Sequence, residues 1–343
     1  MREKKDKDDF QREKKLVQEF HDAIDQSTPE NVGQALAKFV SPEWHWRGMH
    51  PFNDQKGPEA VAKLFWSPLM DAIKPLQRRP DIFIAGLNEI DGYDSIWVVE
   101  MGHLMGLFDK PWLGIRPTFR IVMLRYCEFN RVKDGKIVET AMFCDIPHLM
   151  MQADQNPFPP QTGAMLVQPG PRTHTGLCYE KQDPQQGRNS LAAINAMLNN
   201  PGAEFHNKDE ANRLARVWNE DMIWWGPAGI GATYTIERYI RQHCIPFDNA
   251  LSEGYKFNGH ICRLAESDFG GFFGWANLTL QNSGGYMGMT EGPAPADMRV
   301  IDMYRVENGK IAENWIFIDI LNYLAMQGLD VLGRMNAVQS GGG

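Results

Sequence analysis

The chain writes one pattern twice. Residues 131–146 read RVKDGKIVETAMFCDI and residues 305–320 read RVENGKIAENWIFIDI, identical at nine of sixteen positions with a constant offset of 174. Upstream the match continues at an offset of 178. Leu36 and Ala37 match Leu214 and Ala215, Trp46 and Gly48 match Trp224 and Gly226, Pro68 and Ala72 match Pro246 and Ala250, and Trp97 matches Trp275. The second copy is therefore four residues shorter between its counterparts of Trp97 and Arg131. Such a chain is predicted to fold as two copies of one unit, and two copies are too few to stack as a solenoid. At 343 residues the length suits two ordinary domains. The boundaries read as a charged extension at 1–11, a first domain at 12–155, a linker at 156–187 and a second domain at 188–338.

Each copy repeats one order of elements. A helix (12–25; 188–199) precedes a second one, which follows a capping signal: STPEN before VGQALAKFV, and HNKDEA before NRLARVW. A short aromatic segment follows, EWHWRG or MIWWGP, and then a third helix interrupted by Pro68 or Pro246, expected to end or kink there. The remainder is strand-like, and its last two strands form a hairpin at Asp134-Gly135 or Asn308-Gly309, dipeptides that tolerate positive φ. The fold class is α+β, with about three helices on a curved antiparallel sheet in each domain. The intervening segment NPFPPQTGAMLVQPGPRTHTGLCYEKQDPQQGRNS (156–190) reads as a linker that drapes over the surface.

A net charge of −8 argues against nucleic acid or an acidic membrane as the main partner, since both favour a basic face. Five scattered cysteines form no CxxC pair, and no long apolar stretch or signal peptide is legible. That reads as a reduced, cytoplasmic protein without structural zinc. No HxH or HExxH spacing points to a metal, and no GxGxxG, GxxxxGK[ST] or GxSxG points to a nucleotide or a serine nucleophile, so no cofactor is expected.

With GPEAVAKLF, GHLMG, WLGIRPTFR, RVKDGKI and CDIPHLMMQ in this order, and GGYMGM, RVENGKI and IDILNYLAMQG in the second copy, the chain resembles SnoaL-like polyketide cyclases of the nuclear transport factor 2-like superfamily. The resemblance covers most of both units. It implies cone-shaped domains around an apolar pocket, a habit of pairing through the sheets, and so an internal pseudo-dimer that is a candidate for further homo-oligomers. It also implies a cofactor-independent aldol ring closure promoted by a pocket histidine and aspartate. Aligned through the hairpin, the histidine position is Glu128 in one copy and Asp302 in the other; the aspartate position is Met142 and Ile316. Both copies therefore lack the family pair and carry one carboxylate in its place.

Glu128 and Asp302 are the candidate catalytic groups, each in an otherwise apolar strand where a carboxylate is costly to bury alone. Burial is expected to raise their pKa and suit them to proton transfer near neutrality. A three-residue hairpin loop would set Glu128 opposite Thr140 and on one face with Met142 and Cys144. Asp145 and Asp319 read either as catalytic bases or as N-caps of a closing helix. His50 and His103 join the catalytic list as enolate stabilisers beside Arg120. Trp46, Arg47, Arg120, Met142, Trp225 and Ile316 are the expected substrate contacts.

The expected partner is a small hydrophobic molecule. The expected activity is proton abstraction alpha to a carbonyl of a polyketide-like compound, by cyclisation, isomerisation or dehydration. The alternative is a non-catalytic protein that binds an apolar ligand or serves as a scaffold.

Overall fold

The computed structural model describes residues 9–199, 210–251 and 254–340. Most of the charged start and the residues 206–209 of the second capping signal lie outside them. The chain packs as two compact units, one formed by residues up to 156 together with 174–181 and 330 onward, the other by 157–173 and 182–329.

In the first unit α1 (Gln11–Asp25) and α2 (Val32–Phe39) lead into β1 (Val40–Gly48) and β2 (Asn53–Lys56). A composite helix follows: α3 (Pro58–Val61), a π-helical turn (Ala62–Trp66) and α4 (Ser67–Ala72). Then come β3 (Ile73–Leu87), β4 (Ile96–Phe108), β5 (Ile121–Lys133), β6 (Lys136–Cys144) and α5 (Ile146–Gln152). The second unit repeats the order with α6 (Pro184–Leu198), α7 (Glu210–Leu214), β7 (Trp218–Trp225) and β8 (Thr233–Tyr234). Its composite helix is α8 (Thr235–Tyr239), a π turn (Ile240–Cys244) and α9 (Ile245–Leu251). Strands β9 (Lys256–Phe257), β10 (Cys262–Glu266) and β11 (Phe269–Leu280) follow, then a 3-10 turn (Tyr286–Gly288), β12 (Ala296–Glu307), β13 (Lys310–Ile318) and α10 (Ile320–Met326). The last described helix, α11 (Val331–Ser340), belongs to the first unit.

The fold class is α+β, as the sequence predicts, but the sheets are mixed rather than antiparallel. Their orders are β2-β1-β6-β5-β4-β3 and β10-β11-β12-β13-β7-β8, with β9 on β11. In each, the aromatic strand lies parallel to the last one, β1 on β6 and β7 on β13. The reason is topological: the chain leaves β1 through a helix and four further strands before β6 closes beside it.

Neither Pro68 nor Pro246 ends its helix. In both copies the helix widens to π geometry immediately before the residue that precedes proline. The wider turn accommodates the missing N–H and the ring.

Asp134-Gly135 and Asn308-Gly309 form two-residue turns with φ of 51° and 71°, and 54° and 74°. Both central residues are left-handed, as a type I′ turn requires. A bulge then adds Val138 in one copy and Ala312 in the other, so Glu128 faces Met142 and Asp302 faces Ile316. The expected partner of Glu128, Thr140, pairs with Asn130 instead. Two residues of slip preserve the face, and Glu128 shares its side of the sheet with Thr140, Met142 and Cys144.

The segment between the copies is bound at both ends. Phe83 and Cys178 exchange backbone hydrogen bonds with Gly176 and Phe83, covering the outer edge of β3. Lys14, buried on α1, donates to the carbonyls of Cys178 and Glu180. In the other unit Ala164 pairs with Ala232, and the Trp315 indole donates to the Pro169 carbonyl. Exposed sheet edges invite non-native pairing, and these contacts cover the edge strand β3 at Phe83 and extend the edge beside β8 at Ala232.

Asp145 and Asp319 are helix caps. Asp145 accepts from the His148 N–H at 3.1 Å, and Asp319 accepts from the Asn322 N–H at 3.2 Å. Each also lies near an arginine of the penultimate strand, Arg125 at 3.9 Å and Arg299 at 3.3 Å. Replacing Asp145 by Ala should lower the stability of the first unit by about 1 kcal/mol, while Asn, which still caps, should recover most of it. Chemical denaturation of the full chain followed by near-UV circular dichroism checks this.

Candidate functional site

The first unit buries a cluster of charges on the helix-facing side of its sheet. Apolar residues at i, i+3, i+4 and i+7 turn Val17, Phe20, His21 and Ile24 of α1 toward the strands. His21 thereby enters the core. Strand alternation brings Glu100 of β4 and Tyr126 and Glu128 of β5 to meet it, with Glu100 and Glu128 directly paired across the ladder.

His21 Nε2 lies 3.2 Å from Glu128 Oε1, and Nδ1 lies 3.3 Å from Glu100 Oε2. The second is a charge contact whose angle falls outside hydrogen-bond geometry. Arg78 of β3 donates to Glu100 at 3.1 Å and to Asp25 at 3.2 Å, and its guanidinium stands 5.4 Å from the Tyr126 ring centre. The Tyr126 hydroxyl donates to Glu100 Oε1 at 2.5 Å. A neutral relay extends from Glu128: Asn130 donates to it at 2.5 Å, Thr140 donates to Asn130 at 2.6 Å, and the Trp44 indole donates to Thr140 at 2.9 Å. His21, Glu100 and Glu128 are 3%, 3% and 1% exposed, so nearly all of this charge is removed from water.

Burial by itself would discharge His21. The two carboxylates outweigh burial and the nearby Arg78, and the imidazole pKa rises from 6.5 to about 9. Burial likewise opposes ionisation of Glu100, but His21, Arg78 and Tyr126 bring it down from 4.5 to about 2. Glu128 is also lowered, against burial, by His21, Arg78 and Asn130. The raised pKa expected for Glu128 is thus reversed, because its partner is a cation that the sequence reading did not assign to it. At neutral pH the cluster holds an imidazolium and a guanidinium against two carboxylates. Three of its buried polar atoms make no hydrogen bond, His21 Nδ1, Arg78 Nη2 and Glu128 Oε2.

The other candidates scatter. Met142 is the cross-strand neighbour of Glu128, and Trp46 lies buried on the same side, packed on Phe52 and Phe65. His103 pairs with Arg125 on β5, an odd number of residues from Glu128, and therefore occupies the opposite face, 3.3 Å from Asp81. Arg47 also turns to that face, donating to Glu139 at 3.0 Å. Arg120 is exposed ahead of β5, eight residues from Glu128 and so about 26 Å along the strand. His50 lies half-buried in the turn after β1, two residues beyond Gly48. These four do not converge with Glu128 as an enolate-stabilising set.

In the second unit Asp302 accepts from Asn314 at 2.9 Å and bonds the Tyr304 hydroxyl, with Ile316 opposite. Trp225 faces away from Trp224 and Asn314, on the side of Trp315. Among the described residues no group of three or more His, Cys, Asp or Glu is placed to hold a metal, and no helix is long and apolar enough to cross a membrane.

The second unit is also an internal control. The buried positions of α6, Gly187, Ser190, Ala193 and Ile194, repeat the spacing of Lys14, Val17, Phe20 and His21. Ile194 thus occupies the place of His21. Phe272, the ladder partner of Asp302, occupies that of Glu100, and Val300 that of Tyr126; in this register Phe269 faces Arg305 as Trp97 faces Arg131, so Trp275 is not the counterpart of Trp97 that the sequence match suggests. Ile194 and Phe272 pack in one apolar cluster with Trp224 and Tyr304.

No protein-family model matches this chain, and no curated protein matches it. Among solved structures, the chain is similar to a protein of Jannaschia sp. CCS1 assigned as a SnoaL-like polyketide cyclase, at 18% identity and a TM-score of 0.34 over 44% of this chain and 94% of that one. It is similar to IdmH of Streptomyces antibioticus, assigned as a polyketide cyclase, at 14% identity and a TM-score of 0.34 over 41% and 96%. A nuclear transport factor 2-like protein of Burkholderia thailandensis E264 matches at 20% identity and a TM-score of 0.31 over 41% and 96%.

The shifts fix a pH dependence. His21 is raised, so its stabilisation is complete below pH 6.5 and is lost as pH climbs toward about 9. Glu100 is lowered, so its stabilisation is complete above pH 4.5 and is lost as pH falls toward about 2. First-unit stability should therefore plateau between these limits. A His21→Gln variant should lose the decline between pH 6.5 and 9, as thermal melts of the full chain across pH would reveal.

Proposed function

We propose that the first unit is a cofactor-independent acid–base catalyst acting on a hydrophobic carbonyl compound, with His21 and Glu128 as its proton-handling pair. The observation that carries this reading is the contrast between the copies. The second unit completes the same sheet with Ile194, Phe272 and Val300 where the first spends His21, Glu100 and Tyr126. The fold does not require the charges. A buried ion cluster is seldom more stable than an apolar set of similar volume, and strongly perturbed titratable groups gather where chemistry is done.

In the proposed step Glu128 Oε2 takes a proton from the carbon alpha to the carbonyl. The electron pair passes to the carbonyl oxygen, and His21 gives up its proton there to form the enol. The enol carbon then attacks a second carbonyl, whose oxygen takes the proton from Glu128, or Glu128 returns that proton to another carbon of the enol; in either case the enol hydroxyl gives its proton back to His21. The first course is the ring closure that the sequence resemblance implies, the second an isomerisation. Glu100 and Glu128 together keep the imidazole charged until that step. Substrate entry requires α1 or the aromatic side chains beneath it to move, since the reacting groups are almost fully covered.

That same burial favours a second reading, in which the cluster is a fixed structural element and the chain binds an apolar ligand without reaction. Deuterium exchange separates the two. With 1-tetralone in D2O, the full chain should accelerate loss of the alpha protons seen by NMR, and Glu128→Gln should slow this by at least ~100-fold. Asp302→Asn should leave it unchanged. A quadruple variant, His21→Ile with Arg78→Met, Glu100→Phe and Glu128→Gln, which leaves no member of the cluster charged, should remain folded with equal or higher stability and be inactive. Equal exchange by wild type and Glu128→Gln would defeat the catalytic reading; an intact co-purified ligand in native mass spectrometry would then support binding.

A further inference from the structure

One end of the first unit's sheet carries an apolar surface that the acid–base reading leaves unused. Leu107 of β4 and Ile121 of β5 form the last rung of their ladder, and Phe119 lies in the loop that joins the two strands. They are 40%, 63% and 73% exposed. The backbone here is held in place. The Phe119 N–H donates to the Phe108 carbonyl at 3.0 Å, and the Phe108 N–H donates to the Arg120 carbonyl at 3.1 Å. Phe119 also keeps a left-handed φ of 57°, which is costly for a bulky side chain. An ordered loop thus holds a large ring out in water, and clustered apolar exposure of this kind marks a contact surface.

Cations accompany the apolar side chains. Lys74 is the ladder partner of Leu107, Lys110 follows it in the chain, and Arg116 and Arg120 bracket Phe119. The acids equally close in the chain are Asp71 and Asp109. Asp71 lies 2.6 Å from Lys110 and 3.9 Å from Lys74. Arg116 and Arg120 are exposed and make no ion pair among the described residues. The second copy has Thr290, Pro293, Ala294 and Pro295 where the first has Arg116, Phe119, Arg120 and Ile121. The repeated unit therefore does not require an aromatic ring and two arginines at this turn.

We propose that this end of the first unit docks on an anionic lipid bilayer. Phe119, Ile121 and Leu107 enter the boundary between headgroups and acyl chains, while Arg116, Arg120 and Lys74 lie among the lipid phosphates. Charge complementarity selects this occupant. A second copy laid face to face would set Arg116 and Arg120 against their own counterparts. A strand from a partner protein has no place to add, because β4 and β5 are interior strands with paired backbones. The net charge of −8 argues against a membrane as the main partner, but salt screens charges beyond about 8 Å, so the local cations govern this contact. The inference is independent of the chemistry proposed for His21 and Glu128.

Co-sedimentation of the full chain with vesicles tests it, using phosphatidylcholine alone or mixed with phosphatidylserine. The protein should pellet with the mixed vesicles, release with added salt, and bind phosphatidylcholine alone at least ~5-fold more weakly. Phe119→Ser should weaken binding to the mixed vesicles by roughly 10-fold. Replacing Arg116 and Arg120 together by Gln should reduce it to the level of the neutral vesicles. Phe257→Ser, at an exposed aromatic of β9 in the second unit, should change nothing. Failure to pellet with mixed vesicles would overturn the proposal, as would equal binding to both kinds. So would an unaltered Phe119→Ser variant or an equal loss in Phe257→Ser. If Phe119→Ser altered only self-association in gel filtration, the surface would belong to a second copy and the proposal would fall.

Discussion

An imidazole held between two carboxylates organises the first unit. Taking a charge out of water is costly, and each ion in this cluster is tolerable only because the others are present. His21 stays protonated because Glu100 and Glu128 flank it, and the carboxylates stay ionised because His21 and Arg78 face them. That mutual dependence ties α1 to β3, β4 and β5 more specifically than apolar packing would. A slip of one residue in any of those elements would place a charge against the wrong face.

The second unit shows what the same fold does without that dependence. Its helix–sheet interface is apolar at the matching positions, the acid in the place of Glu128, Asp302, is held by Asn314 and Tyr304, and among the described residues His243 and His260 are neutral rings stacked on aromatics. The copies thus differ at matched positions: the first places His21, Glu100 and Tyr126 where the second places Ile194, Phe272 and Val300. Duplication permits this, because each sheet has its own core and neither copy needs the other's side chains to complete its hairpin or cap its closing helix.

Local features were legible in the sequence where they depend on adjacent residues. Asp134-Gly135 and Asn308-Gly309 announce their turns because left-handed φ excludes most residues, and Asp145 and Asp319 cap because a carboxylate one residue before a helix meets free N–H groups. The side of the sheet occupied by Glu128 also followed, although through the wrong register: the two-residue turn shifts the pairing by one and the bulge at Val138 by one more, which restores the face. Features that depend on distant residues were not legible. His21 and Glu128 lie 107 positions apart, and no spacing rule joins a helix residue to a strand residue at that distance. A signal for His21 existed in the apolar stripe Val17, Phe20, Ile24 on which it sits, and one for Glu100 in the apolar run SIWVVEMGHL. The parallel placement of β1 on β6 had no local signature, so the face taken by Arg47 was not legible.

The charge state of His21 is the centre of this account, and imidazole NMR measures it directly. In full-length protein labelled with 15N at histidine, both ring nitrogens of His21 should report the imidazolium form at pH 7.5, and titration should begin only as the pH nears 9. A His21 resonance that is neutral at pH 7.5, or that titrates at or below 6.5, would contradict it.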